Sequence, residues 1–256
     1  MAALRSETAV SFDLQLQAQA STTDPTVARY LAKPIKADVS GALSRSAAGL
    51  TGSVSLLGKS YQLAVRADQD RTFVQFGGTW YGPGKGMTST DSSNSTNPNQ
   101  LIGFLRKYGD ELITGKVSAG PRLDGSNTWQ IDGTLNADGI VRAAQSQGRL
   151  ATASAQAALR AFAPLVHVTY AVGDQDHLPR QLKLSAHANK QQLDTLNTLA
   201  SGSDKLPLNE LQLSASLELS NWGQPVTIEA PANPQPMHAL DGALLGALMS
   251  LGASTR

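Results

Sequence analysis

The sequence predicts an α+β protein built on one large, curled antiparallel sheet of about ten or eleven strands, a half-open β-barrel whose concave face is covered by helices. Three observations predict it. Apolar and polar residues alternate with a period of two in many segments, turn-forming residues separate these segments, and stretches with helical spacing interrupt them in the middle and at the end. A sheet of so many twisted strands curls, so we expect the apolar faces to lie inside.

The alternation begins almost at the start of the chain. From Val10 to Ala18, apolar residues occupy the even positions and polar residues the odd ones, as expected for a strand with one buried face. Comparable segments follow at 36–43, 61–68, 74–76, 129–135, 166–172, 182–188 and 211–219. Turn residues such as Gly58-Lys59 and Asp68-Gln69-Asp70 separate neighbouring segments. This order predicts an antiparallel meander.

Helices are predicted at three places. Asn97-Pro98-Asn99-Gln100 supplies a cap, a proline at the first helical position and a glutamine three residues after the cap. Residues 136–163 have helical spacing broken near Gly148, and a terminal amphipathic helix follows Pro236. The Ser/Thr/Asn-rich stretch from Thr88 to Asn99 is predicted to be a loop. No linker composition divides the chain, so we expect a single domain over residues 1–256.

Composition excludes several functions. The 256 residues carry 21 Lys+Arg and 20 Asp+Glu, and a net charge of +1 gives little attraction for a polyanion, so no nucleic acid is expected. Without cysteine there is no disulfide, thiolate zinc site or cysteine nucleophile. The first residues form neither a secretion signal nor a lipidation motif. Because a strand is predicted from about Ala9, we expect that a natural leader has been removed.

Polar residues give no sign of a catalytic or metal site. The histidines at 167, 177 and 187 are spaced by ten, which suggests metal binding, but parity places His167 and His187 on the wet faces of their strands and His177 in a turn. Asp174 and Asp176 are explained as turn formers. Gly82–Met87 lacks the spacing of a phosphate-binding loop. We therefore expect no enzyme activity, no metal and no cofactor.

Three short segments resemble a known family. The segment from Leu219 to Pro231, which contains Ser220-Asn221-Trp222-Gly223, is similar to the closing strand of actinobacterial lipoproteins of the LppX/LprG type. The segment from Val74 to Tyr81, with its Gly-Gly and Trp-Tyr pairs, resembles their early hairpin. So does Asp124-Gly125 followed by Trp129-Gln130-Ile131-Asp132-Gly133-Thr134-Leu135.

The resemblance implies the fold of the periplasmic carriers LolA and LolB, in which helices close an apolar cavity. It also implies an exported protein with an N-terminal lipid anchor, which carries lipids or lipoglycans between membrane and envelope. This chain lacks the cysteine that would carry the anchor. The family offers no chemical motif from which individual ligand contacts could be transferred.

Small residues in the middle helices allow two arrangements of the interior. The middle helices contain many alanines, which either leave unfilled volume against the sheet or simply let the helices approach it closely. For the first alternative, the expected ligand-binding residues are Phe12, Leu14, Leu16, Leu63, Val65, Val74, Phe76, Leu105, Ile131, Phe162, Val168, Tyr170, Leu184 and Leu217. The sequence therefore predicts non-catalytic binding and carriage of acyl-chain lipids. The alternative is an envelope sensor or scaffold that uses the same fold for protein contacts.

Overall fold

The computed structural model describes residues 9–44, 47–68, 71–83, 111–146, 152–199 and 207–240. The strands are β1 (Ala9–Thr22), β2 (Ile35–Ser44), β3 (Ala47–Leu56), β4 (Lys59–Asp68), β5 (Arg71–Phe76), β6 (Thr79–Gly82), β7 (Ile113–Ala119), β8 (Thr128–Leu135), β9 (Val166–Gly173), β10 (Pro179–Asn189), β11 (Leu208–Ser220) and β12 (Gln235–Pro236). The helices are α1 (Pro25–Leu31), α2 (Ala137–Ser146), α3 (Ala153–Phe162) and α4 (Lys190–Leu199), and a 3₁₀ turn follows α3 at Ala163–Leu165.

The twelve strands of the described residues form one sheet, in the order β12-β6-β5-β4-β3-β2-β1-β11-β10-β9-β8-β7. Strands β1 to β6 form one antiparallel meander and β7 to β11 form another, and β1 pairs with β11 to join them. The two-residue β12 pairs with β6 in parallel. The sheet is curled and does not close, because β12 and β7 lie at its two edges. The predicted fold class is confirmed, with twelve strands in place of ten or eleven.

The predicted alternation fixes which residues share a face. Directly opposed residues form a row across eleven strands: Val117, Ile131, Tyr170, Leu182, Leu217, Leu14, Val39, Gly52, Leu63, Phe76 and Thr79. Residues that pair directly across strands lie on the same side of a sheet. We call this side the concave face and the opposite side the outer face.

Glycines allow neighbouring strands to approach closely on the concave face. A Cβ atom on Gly41 would lie 2.1 Å from the carbonyl oxygen of Gly49, and one on Gly52 would lie 2.3 Å from that of Asp38. A Cβ atom on Gly133, in β8, would lie 2.1 Å from the carbonyl oxygen of Thr114 in β7. Glycine at such positions permits bends that a side chain would block.

Helices α1 to α4 connect strands at the same end of the sheet, which we call the helix end. Helix α1 follows β1, α2 and α3 lie between β8 and β9, and α4 follows β10. Asp24 caps α1 by accepting hydrogen bonds from the amides of Thr26 (2.7 Å) and Val27 (3.2 Å), and Pro25 occupies the first turn. Helices α1 and α4 were not predicted. The Asp24-Pro25 pair was the available signal for α1.

The break predicted near Gly148 is consistent with two helices, α2 and α3, on either side of residues 147–151. Two other predictions fall largely on residues outside the described ranges. These are the helix after Asn97 together with the loop before it, in 84–110, and the terminal helix, in 241–256.

The segment after β11 differs from its prediction as a closing strand. β11 ends at Ser220, and residues 221–234 cross the outer face as an extended strap before β12 joins the sheet. The amide of Gly223 donates to the carbonyl of Ala9 (2.9 Å), and the Arg66 guanidinium donates to the carbonyl of Glu229 (2.8 Å). Three prolines, at 225, 231 and 234, remove amide donors that a strand would need.

The most deeply buried side chains lie in the second half of the chain. Ala143 of α2, Ala163 of the 3₁₀ turn and Val168 of β9 are fully buried. Val168 is the largest fully buried side chain of the described residues. The 3₁₀ turn and α4 pack on β8, β10 and β11, whereas α1 packs on β1. Much of the concave face of β1 to β4 is only half-buried.

Candidate functional site

An apolar hollow of about 480 Å³ lies at the helix end, between the concave face and α3. Its described lining consists of Leu16, Gln17, Ala18, Ile35, Ala37, Leu135, Phe162, Val166, Leu184, Ser185, Ala186, Leu213, Ser214 and Ala215. Only three of these residues have polar side chains, and their parity places those side chains on the outer face. The interior of the hollow is therefore a hydrocarbon surface.

Small residues of the strands create the volume. Ala18, Ala37, Ala186 and Ala215 lie in four consecutive strands, where their side chains end at Cβ, and Phe162 of α3 forms part of the opposite wall. The prediction placed the space-leaving alanines in the middle helices. In the structure the alanines that line the hollow belong to strands, whereas Ala143 of α2 is fully buried in the core.

Three of the predicted ligand-binding residues meet at this hollow. Leu16 and Leu184 form part of its floor and Phe162 part of its wall. The other predicted strand residues lie on the same concave face, farther from the hollow: Phe12, Leu14, Leu63, Val65, Val74, Phe76, Ile131, Val168, Tyr170 and Leu217. Leu105 lies outside the described residues.

Sequence reasoning missed several lining residues. Ile35, Leu135, Val166 and Leu213 all contribute to the hollow. Leu213 has the same parity as Leu217, so alternation alone could have identified it. Ile35 required knowledge of α1, which returns the chain so that Ile35 lies opposite Ala18. The position of the hollow depends on which strands pair, and that information is absent from a local pattern.

The outer face opposite the hollow is polar. His167 lies 3.3 Å from an oxygen of Asp132, and His187 lies 2.9 Å from an oxygen of Glu210, with all four side chains well exposed. Hydrogen bonds from Gln212 and then from His187 lower the pKa of Glu210 from its ordinary value of 4.5. No group of three or more potential metal ligands occurs in the part of the chain that the structure describes. The predicted exposed position of His167 and His187 is confirmed.

A buried cation lies at the end of the sheet opposite the helices. The Arg180 side chain is 4% exposed and donates to Oδ2 of Asp176, and the amide of Leu178 donates to Oδ1 of the same carboxylate (3.0 Å). Two further nitrogens of Arg180, Nε and one Nη, are buried without a hydrogen-bond partner. Asp176 therefore forms the turn, as predicted, and also compensates a buried charge that the sequence pattern did not reveal.

None of the described helices is long and apolar enough to cross a membrane. The sequence matches no family model. It also has no significant match among curated proteins. Among solved structures, the crystal structure of LprF from Mycobacterium bovis is similar, with 14% sequence identity, coverage of 91% of this chain and 93% of that chain, and a TM-score of 0.41. A likeness of this size bears on neither ligand nor activity.

Proposed function

We propose that this protein binds acyl-chain lipids, without catalysis, in the hollow between the concave face and α3. The observation that carries the proposal is the lining: every side chain that faces the hollow is apolar, and its volume of about 480 Å³ falls in the range of about 300–1,000 Å³ that is usual for small-molecule sites. Leu16 and Ile35 of the lining are 42% and 41% exposed, and covering such apolar surface with hydrocarbon is favourable.

Desolvation supplies the binding energy in this proposal. Each buried methylene contributes about 0.8 kcal/mol, so an acyl chain binds without a single polar contact. The described lining offers no buried charged or hydrogen-bonding side chain to orient a head group. The hollow therefore recognises the acyl chain. The head group of the lipid or lipoglycan stays at the rim.

We further propose that the protein carries its ligand in a bacterial cell envelope, as an exported and lipid-anchored protein. This part is supported by the sequence resemblance to the LppX/LprG-type lipoproteins. The sensor or scaffold alternative has the same fold without a bound lipid.

The test is the lipid content of the purified protein. Organic extraction and mass spectrometry should recover about one lipid per molecule from the unaltered chain. Ala215→Trp places an indole in the hollow and should remove the lipid, because Ala215 is part of its floor. Ser214→Trp is the matched control, since Ser214 precedes it in β11 and its exposed side chain lies on the outer face.

The two outcomes separate the candidate functions. Lipid in the unaltered chain and in Ser214→Trp, with none in Ala215→Trp, supports the carrier. An unaltered protein without lipid, or an equal lipid content in the two tryptophan variants, would refute binding in this hollow. Thermal unfolding of both variants establishes that the comparison is made between folded proteins.

A further inference from the structure

The helix end carries a group of basic side chains without acidic partners. Arg29, Lys33 and Lys36 lie in and just after α1, all are exposed, and none forms an ion pair with a described residue. The ammonium of Lys33 lies beside Gly58, so the segment after α1 is placed against the β3–β4 turn.

Three carboxylates of the helix end are already engaged. Asp24 caps α1, Asp194 pairs with Lys190 at 2.9 Å, and Asp138 pairs with Arg160 at 2.9 Å. The segment from Asp24 to Lys36 carries three basic residues against the single carboxylate of Asp24, which gives it a net charge of +2, and the next carboxylate along the chain is Asp38. An unneutralised basic surface attracts an anionic partner.

Large apolar side chains are exposed beside these basic residues. Tyr30 of α1 and Ile35 at the start of β2 are each 41% exposed, and Leu16 is 42% exposed. Ile35 and Leu16 also line the hollow, so this exposed surface is continuous with the rim of the proposed site. The Arg29 guanidinium lies 5.0 Å from the centre of the Tyr30 ring.

We propose that the surface formed by α1 and residues 32–36 docks on an anionic lipid bilayer. Tyrosine is favoured at the membrane interface because its ring is apolar and its hydroxyl is polar, and basic side chains are attracted by acidic head groups. Docking by this surface places the rim of the hollow against the head groups. The inference rests on the proposed function for its purpose, but the surface itself is defined by charge and exposure.

The experiment is co-sedimentation of the full chain with vesicles. Vesicles that contain phosphatidylglycerol are compared with vesicles of pure phosphatidylcholine, at low and high salt. We expect binding to the anionic vesicles only, and we expect salt to weaken it. Each basic residue near such a surface contributes about fivefold in affinity, so Arg29→Glu combined with Lys33→Glu should weaken binding by about twentyfold or more.

The matched control reverses the same number of charges elsewhere. Lys183 is exposed on the outer face, and Arg122 lies at the end of the sheet opposite the helices. Lys183→Glu combined with Arg122→Glu should change binding by less than about threefold. Equal losses in the two double variants, or no binding of the unaltered chain to anionic vesicles, would overturn the proposal. Circular dichroism establishes that both variants are folded.

Lipid extraction from the same samples separates this inference from the proposed function. Arg29 and Lys33 do not line the hollow, so their double variant should keep its lipid. If this double variant no longer binds vesicles but keeps its lipid, the result supports both the docking surface and the proposed lipid binding. If the protein contains no lipid but binds anionic vesicles through Arg29 and Lys33, the docking inference is supported and the proposed lipid carriage is refuted.

Discussion

Leu14 in β1 lies directly opposite Leu217 in β11, and this pair belongs to the contact that joins the two meanders of the sheet. The first described strand is therefore a central strand, with β2 on one side and β11 on the other. The hollow depends on this pairing, because its floor takes Ala37 from the first meander and Leu184 from the second. The sheet is open between its two edge strands, β12 and β7, and not between β1 and β11.

The buried Arg180 makes Asp176 important for stability. In Asp176→Asn the guanidinium loses its compensating charge while the turn keeps an acceptor for the Leu178 amide. Breaking a buried ion pair costs about 3–5 kcal/mol, and the partly exposed Asp176 places the expected loss near the lower limit, at about 3 kcal/mol. Urea unfolding of the variant and the unaltered protein measures the difference.

An exposed ion pair of the same kind is the control. Lys190 and Asp194 are both more than half exposed, so Asp194→Asn should lower the free energy of unfolding by no more than about 0.5 kcal/mol. Comparable losses for Asp176→Asn and Asp194→Asn would contradict the role given to burial. Arg180→Met in the Asp176→Asn background should recover much of the stability, because it removes the unpaired charge.

Alanine substitutions at two glycines in neighbouring strands should have different effects on stability. A Cβ at Gly41 meets backbone atoms of β3 at 2.1 and 2.8 Å, whereas one at Gly49 meets only the Ile228 side chain, at 3.1 Å. Gly41→Ala must therefore separate two strands and should cost about 2 kcal/mol or more. Gly49→Ala requires a small shift of a flexible side chain and should cost less than about 0.5 kcal/mol. Equal unfolding free energies for the two variants would show that the strands are not held this closely.

Local alternation predicted which residues share a face of the sheet, but it did not predict that β1 pairs with β11. The parity of Val10 to Ala18 identified Leu14 and Leu16 as concave-face residues, because the two sides of a strand are distinguished within a few residues. The partner of that strand, β11, lies far along the chain, and no periodicity encodes the pairing. The sequence pattern therefore does not associate Ala37 with Ala215, although both line the same hollow.

The segments that interrupt the alternation carry weaker sequence signals than the strands do. Asp24-Pro25 is the same kind of cap as Asn97-Pro98, but the helix it starts is only seven residues long and has no apolar stripe of useful length. The segment from Leu219 to Pro231 resembles a closing strand, but the prolines that follow Ser220 remove amide donors that continued pairing would need. Arg180 gave no local signal, because Pro179, Arg180 and Gln181 are all buried and the register with β9 shifts between Pro179 and Gln181, so alternation does not assign its face.

The Glu210 carboxylate gives a prediction for pH. Its pKa is lowered first by the Gln212 hydrogen bond, so Gln212→Leu should bring the pKa back towards 4.5. A carboxylate with a lowered pKa in the folded state stabilises the fold above its ordinary pKa, and this contribution disappears as the pH falls through the lowered value. The variant should therefore show less acid-dependent loss of stability below pH 4.5.

A carbon-detected NMR titration of Glu210 measures this pKa directly. Gln19→Leu is the control, because Gln19 lies opposite Gln212 on the outer face without a hydrogen bond to Glu210. Identical titrations of Glu210 in the unaltered protein and in Gln212→Leu would contradict the assigned cause.

Leu16 and Val168 separate ligand binding from core packing. Both lie in one cross-strand row with Leu184 and Ala215, but Val168 is fully buried and Leu16 is 42% exposed. Val168→Ala should lower the free energy of unfolding by about 2 kcal/mol and leave the lipid content of the folded protein unchanged. Leu16→Asp should act in the opposite way, with a small effect on stability and loss of lipid, because it places a carboxylate in the apolar hollow.

The control for Leu16→Asp is Gln17→Asp, which introduces the same residue one position along β1 on the outer face. Both variants place aspartate in a strand and bear the same penalty of up to about 1 kcal/mol, so a difference in lipid content between them isolates the concave face. If Gln17→Asp loses its lipid as completely as Leu16→Asp, the loss arises from the strand and not from the hollow. If Leu16→Asp retains its lipid, the acyl chain does not contact the floor residue Leu16, and binding in this hollow is contradicted.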